Sequence, residues 1–125
     1  MKAILLIICT TLLSFSVKEN NDAVLGVWKG AYGMGSNVEQ TWVYLGPQNS
    51  MKFYGGYMKP ENSMTGTFSL QGDTAIIFLC RNKKTRQQIK MKGNLDRTKS
   101  FVDGIWESND DHYGSFYLQK ASTRL

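Results

Sequence analysis

The sequence predicts an all-β protein, an antiparallel up-and-down meander of about eight short strands closed into a small barrel. Three observations carry that expectation. Short segments rich in aromatic and β-branched residues recur along the chain, separated by Gly, Asn, Asp, Pro and Ser. No long window has the i, i+3, i+4 spacing of an amphipathic helix. Two phrases also occur twice: GVWKG at 26–30 returns as GIWES at 104–108, and TGTFSLQG at 65–72 returns as YGSFYLQK at 113–120.

At 125 residues the chain is of single-domain size. Residues 1–16 read as a signal peptide: Met1-Lys2 begin it, Ala3 to Phe15 are apolar, and Ser14-Phe15-Ser16 offer small residues at a cleavage site. The apolar run is too short for a membrane span, which needs about 20 residues. Removal of the leader takes Cys9 with it and leaves Cys80 alone, so no internal disulfide is expected in the exported product. A short segment, 17–24, then precedes a single barrel domain at 25–120 and a tail at 121–125.

Strands are expected near 25–33, 39–46, 50–56, 63–71, 73–81, 86–94, 99–107 and 112–120. In the first, Trp28 and Tyr32 share a face with Lys29 opposite. The sixth alternates cleanly, with Gln88, Lys90 and Lys92 wet and Ile89 and Met91 dry. The seventh aligns Val102 with Trp106, and the eighth aligns Phe116 with Leu118. The fifth, Ala75 to Cys80, is apolar on both faces, so its orientation is not legible from period; a cover on both sides would account for it. The repeated phrases have a packing reading. Each puts a glycine on the same face as a large apolar residue two positions on, which suits a tightly curved sheet. Such shared demands account for the echoes as well as a duplication does.

An exported meander with Gly26-x-Trp28 in its first strand resembles the lipocalin and calycin group. The wider layout, Gly26-x-Trp28-x-Gly30 early and Gly104-x-Trp106 then Gly114-Ser115-Phe116-x-Leu118-x-Lys120 late, is similar to small bacterial lipocalin-like domains. The resemblance implies a periplasmic or secreted barrel and a basic residue, Lys120 or Arg124, stacked on Trp28. The chain is shorter than typical lipocalins and shows no long lid, the nearest candidate being Tyr54-Gly55-Gly56-Tyr57-Met58.

Functionally, the expected interior contains Trp28, Tyr32, Phe68, Met91, Trp106 and Phe116, together with Leu70, Ile89 and Leu118. The first six are the candidate lining for a small hydrophobic or aromatic ligand in the barrel mouth. The same rings also read as filling the barrel, in which case the protein acts through its surface as an interaction, inhibitor or envelope-associated module. Net charge is +5 and concentrated late: residues 81–125 hold ten Lys or Arg against five Asp or Glu. Arg81, Lys83, Lys84 and Arg86 form a basic patch suited to an anionic surface or acidic partner. Nucleic acid is not expected, because these cations do not interleave with exposed aromatic residues. No enzyme is expected: there is no phosphate loop, nucleophile elbow or zinc motif, and Glu39, Glu61, Asp103 and Glu107 lack the spacing of an acid–base pair. His112 beside Asp110 and Asp111 reads as a polar turn rather than a metal site, and no cofactor is expected.

Overall fold

The computed structural model describes residues 22–55 and 63–122. The expected signal peptide, part of the 17–24 segment, the lid candidate at Gly56, Tyr57 and Met58, the turn at 59–62 and Arg124 lie outside the described residues. A one-turn 3-10 helix, Asp22–Val24, leads into β1 (Gly26–Met34), β2 (Asn37–Leu45), β3 (Ser50–Gly55), β4 (Ser63–Gln71), β5 (Ala75–Arg81), β6 (Gln88–Leu95), β7 (Phe101–Ser108) and β8 (Tyr113–Ser122). Each strand pairs antiparallel with the next, and β8 pairs with β1 to close the barrel. All eight expected strands are present, in the expected order.

Differences fall at strand ends and have local causes. β2 begins at Asn37 because Gly35-Ser36 forms a two-residue turn that puts Met34 opposite Asn37. β5 begins at Ala75 because Gly72, with φ +67°, turns the chain after Gln71. β6 begins at Gln88 because Arg86 adopts φ +61° within the preceding loop. The ambiguous β5 resolves with Ile76, Phe78 and Cys80 inside and Leu79 outside at 51% exposure. Nothing among the described residues covers Leu79.

The inward positions hold a continuous core that includes Trp28, Val43, Met51, Phe68, Phe78, Met91, Val102 and Leu118, each at most 2% exposed. Among the described residues Thr41 is the buried polar side chain, and its hydroxyl donates to the Tyr54 carbonyl at 2.8 Å, as a buried polar group requires.

The repeated glycines have a specific steric cause. A Cβ on Gly66 would overlap the Leu79 carbonyl oxygen on β5, and one on Gly114 would overlap the Gly33 carbonyl oxygen on β1. The neighbouring backbone crosses through the space where a side chain would begin, so only hydrogen fits. Gly30 and Gly104 meet the Tyr117 and Lys92 carbonyls in the same way. Two of these contacts lie on the closing seam between β1 and β8, so ring closure depends on them directly.

Gly66→Ala and Gly114→Ala should each lower stability by about 3 kcal/mol or prevent folding, since backbone rather than a mobile side chain must give way. Urea unfolding against an outward control, Ser69→Ala, measures this. A loss within about 0.5 kcal/mol of that control contradicts the crossing.

Candidate functional site

The two ends of the barrel are built differently. At one end, which we call the base, the 3-10 helix lies across the interior. Val24 is fully buried, and the Trp28 indole Nε1 donates to its carbonyl at 2.9 Å. Lys120 pairs in register with Trp28, yet its ammonium donates to the Ala23 carbonyl at 2.6 Å rather than stacking on the indole. The ammonium thus caps the helix, where free carbonyls attract a cation. The cation–π contact among the described residues is Lys29 over Trp42 on the outer face, at 6.0 Å.

At the opposite end, the mouth, the hairpin turn at 35–36, the 82–87 loop and the 109–112 turn converge. Tyr32 is only partly buried there. Its ring lies 5.7 Å from Phe53, tilted, and 5.9 Å from Trp106, edge-on. Trp106 is fixed by donation from its Nε1 to the Gly33 carbonyl at 3.1 Å, and the Tyr32 hydroxyl donates to Glu39 at 3.0 Å. Burial first, then the Glu39 hydrogen bond and charge, push the Tyr32 phenol up to about 12.

Of the six residues expected to line a ligand site, Tyr32 and Trp106 meet at the mouth. Trp28 lies at the sealed base, and Phe68, Met91 and Phe116 are core residues at most 4% exposed. Phe53 completes the mouth cluster and was not singled out by sequence; its alternation with Met51 in β3 is the signal that would have found it.

A cleft of about 470 Å³ lies on the outer wall across β4 to β7, near the mouth end. Leu79 is its exposed apolar side chain, and Arg81, Lys90 and Glu107 give it charge. It exists where the 82–87 and 109–112 hairpin turns stand side by side. Asn109 clamps them, since its Nδ2 donates to the Arg86 carbonyl at 3.1 Å and its Oδ1 accepts from Gln88 N at 3.0 Å. Asn82 holds the basic loop in shape, its Oδ1 accepting from Lys84 N and Thr85 N. The expected basic patch, Arg81, Lys83, Lys84 and Arg86, is exposed at this end. Among the described residues the ion pairs are Lys99–Asp73 at 3.9 Å and His112–Asp110 at 3.1 Å, so these four cations have no carboxylate partner there.

Chemistry-bearing groups are otherwise dispersed. Cys80 is buried and its thiol is pushed up to about 12 by that burial, the opposite of an activated nucleophile. Asp110 bridges Ser108 and His112 in the exposed turn, and the Ser108 hydroxyl lowers its pKa most. The serine donates to Asp110 and not to the imidazole. Asp103 and Glu107 face outward on β7, Glu39 is held by Tyr32, and Glu61 lies outside the described residues. Among the described residues, no three His, Cys, Asp or Glu side chains group as metal ligands would.

No protein-family model matches this chain, and no characterised protein matches it. Among solved structures it is similar to a redesigned β-barrel, with a TM-score of 0.63 at 10% sequence identity over 80% of this chain and 93% of that one. At this identity the likeness establishes the eight-stranded barrel and nothing about ligands.

The raised Tyr32 pKa gives a pH prediction. The fold favours the neutral phenol, so this stabilisation is complete below the unfolded-chain value of about 10 and disappears as pH rises toward about 12. Ultraviolet absorbance titration should show a tyrosine component near pH 12 that Tyr32→Phe removes. A component near pH 12 that survives the substitution contradicts the partly buried, Glu39-bound phenol.

Proposed function

We propose that this protein is a small exported, lipocalin-like barrel that binds one small hydrophobic or aromatic ligand at its mouth and catalyses no reaction. The observation carrying this reading is the aromatic cluster of Tyr32, Phe53 and Trp106 at the end that the 3-10 helix does not lie across. Tyr32 and Ile89 are only partly buried there. The ligand must be small, because Phe68, Met91 and Phe116 already occupy the interior below. These three and Trp28 act in this reading as a floor rather than as contacts.

The outer surface supports a barrel that works in water. Lys52, Lys90, Lys92, Asp103 and Glu107 point outward from the middle of their strands, where a lipid-facing band would be apolar.

A second reading has one observation in its favour. The outer face of β7 and β8 exposes Ile105 and Tyr113 beside Phe101 and Tyr117, whose rings stack at 6.2 Å and 19°. Contiguous exposed apolar surface of this kind serves contact with a partner. A barrel with its core filled would then act through that face, with the basic loop meeting an anionic surface or acidic protein.

Protein purified from its exported pool should release a small apolar compound into organic solvent, detectable by mass spectrometry, and should displace a bound hydrophobic dye when that compound is returned. An empty extract together with no dye binding would remove the ligand reading and leave the surface reading.

A further inference from the structure

We infer that the outer face of the β5–β6 hairpin docks on an anionic phospholipid bilayer and holds the barrel against the membrane without crossing it. Such docking names the partner of the basic loop in the second reading, on which it rests, and is independent of ligand binding at the mouth.

The chain's charge is gathered in this hairpin. Residues 75–95 hold Arg81, Lys83, Lys84, Arg86, Lys90 and Lys92 and no Asp or Glu. That is +6 within a chain of net +5, so everything outside the hairpin sums to −1. Among the described residues the ion pairs are Lys99–Asp73 and His112–Asp110, so the six cations have no carboxylate partner there. Even Lys90, whose register partner is Glu107, makes no ion pair. The acids of the neighbouring turn are Asp110 and Asp111, and Asp110 is taken up by Ser108 and His112.

The fold presents these cations together. Arg81, Lys90 and Lys92 occupy exposed, outward positions of β5 and β6. Lys83, Lys84 and Arg86 lie on the loop that joins the two strands, and backbone bonds hold that loop in shape. Asn82 N donates to the Gln87 carbonyl and Arg86 N to the Asn82 carbonyl, both at 2.8 Å. Charges on an ordered loop lose less freedom on docking than charges on a loose one.

Apolar side chains stand among the cations, and they select a bilayer over a hydrophilic polyanion. Exposed Leu79 is the register partner of Lys90, and exposed Ile105 is the partner of Lys92. Ile77 flanks Lys92 on the other side, and Tyr113 stands beyond Glu107. Aliphatic and tyrosine side chains ringed by cations suit the boundary between headgroups and acyl chains, where lysines reach back to the phosphates. A soluble polyanion would leave Leu79 and Ile105 in water. Thr65, Thr67 and Ser69 on β4 and Asp103 on β7 are exposed polar neighbours that bound the face, so contact stays at the surface.

The test is sedimentation of the full exported protein with vesicles of phosphatidylcholine alone or with about one-third phosphatidylglycerol. The protein should bind the anionic vesicles, leave the neutral ones, and dissociate at high salt. Each Lys or Arg at such a surface strengthens binding about fivefold, so Lys83→Gln with Lys84→Gln should weaken it about 25-fold. Lys29→Gln with Lys52→Gln, the same charge change on β1 and β3, should cost no more than about threefold. Leu79→Ser should weaken vesicle binding about threefold through lost apolar contact. Failure to bind anionic vesicles overturns the inference. Equal weakening by the two double variants also overturns it, because net charge alone would then act. Vesicle binding untouched by Leu79→Ser, together with retention on heparin, replaces the bilayer with an anionic polysaccharide and overturns it as well. Release of a compound from the mouth is read separately, so these results and that reading fail independently.

Discussion

Closure of the barrel depends on the passage of one backbone through the space where a neighbour's side chain would start. Gly30 and Gly114 allow this on the seam between β1 and β8, and Gly66 and Gly104 allow it between β4 and β5 and between β6 and β7. A sheet bent this tightly encloses little space, and large side chains such as Phe68, Phe78, Met91 and Phe116 then fill it. Small radius and full core are thus one property. The interior is occupied, and Val24 and Trp28 close the base.

The two ends diverge through contacts that span most of the chain. Trp28 and Lys120 both donate to carbonyls of the Asp22–Val24 helix, tying the start of the barrel to its last strand. At the mouth, Trp106 donates to Gly33 across the seam, and Asn109 binds the basic loop to the last turn. Each of these contacts fixes an element of the mouth end. Charge follows the same division, with the cations of the 81–86 segment, which have no carboxylate partner among the described residues, gathered at the mouth end.

Much of this was legible in the sequence because strand period and turn chemistry are local. The alternation of Gln88, Ile89, Lys90, Met91 and Lys92 assigned both faces of β6, and the turn residues placed every strand to within a few positions. The repeated Gly-x-Phe-x-Leu phrases pointed correctly to packing. β5 was not legible, since Ile76, Ile77, Phe78 and Leu79 are apolar on both faces and only pairing selects the inner set. The candidate site was partly legible. All six expected lining residues point inward, but their depth depends on which end is sealed, and that follows from long-range contacts. Lys120 shows the limit: its nearness to Trp28 was readable, whereas its preference for the Ala23 carbonyl depends on a helix of three residues whose position only the folded chain defines. The outer-wall cleft left no motif, because it arises from two hairpins held apart and clamped by one asparagine.

Amide hydrogen exchange along the β1–β8 seam tests the closed, glycine-dependent barrel most directly. Closure makes the seam part of the global cooperative unit. Amides in the paired stretches 28–33 and 115–120 should therefore exchange only through global unfolding, with protection equal to that of the β4–β5 pair. Seam amides that exchange far faster than β4–β5, through opening of β1 from β8 alone, would contradict the account.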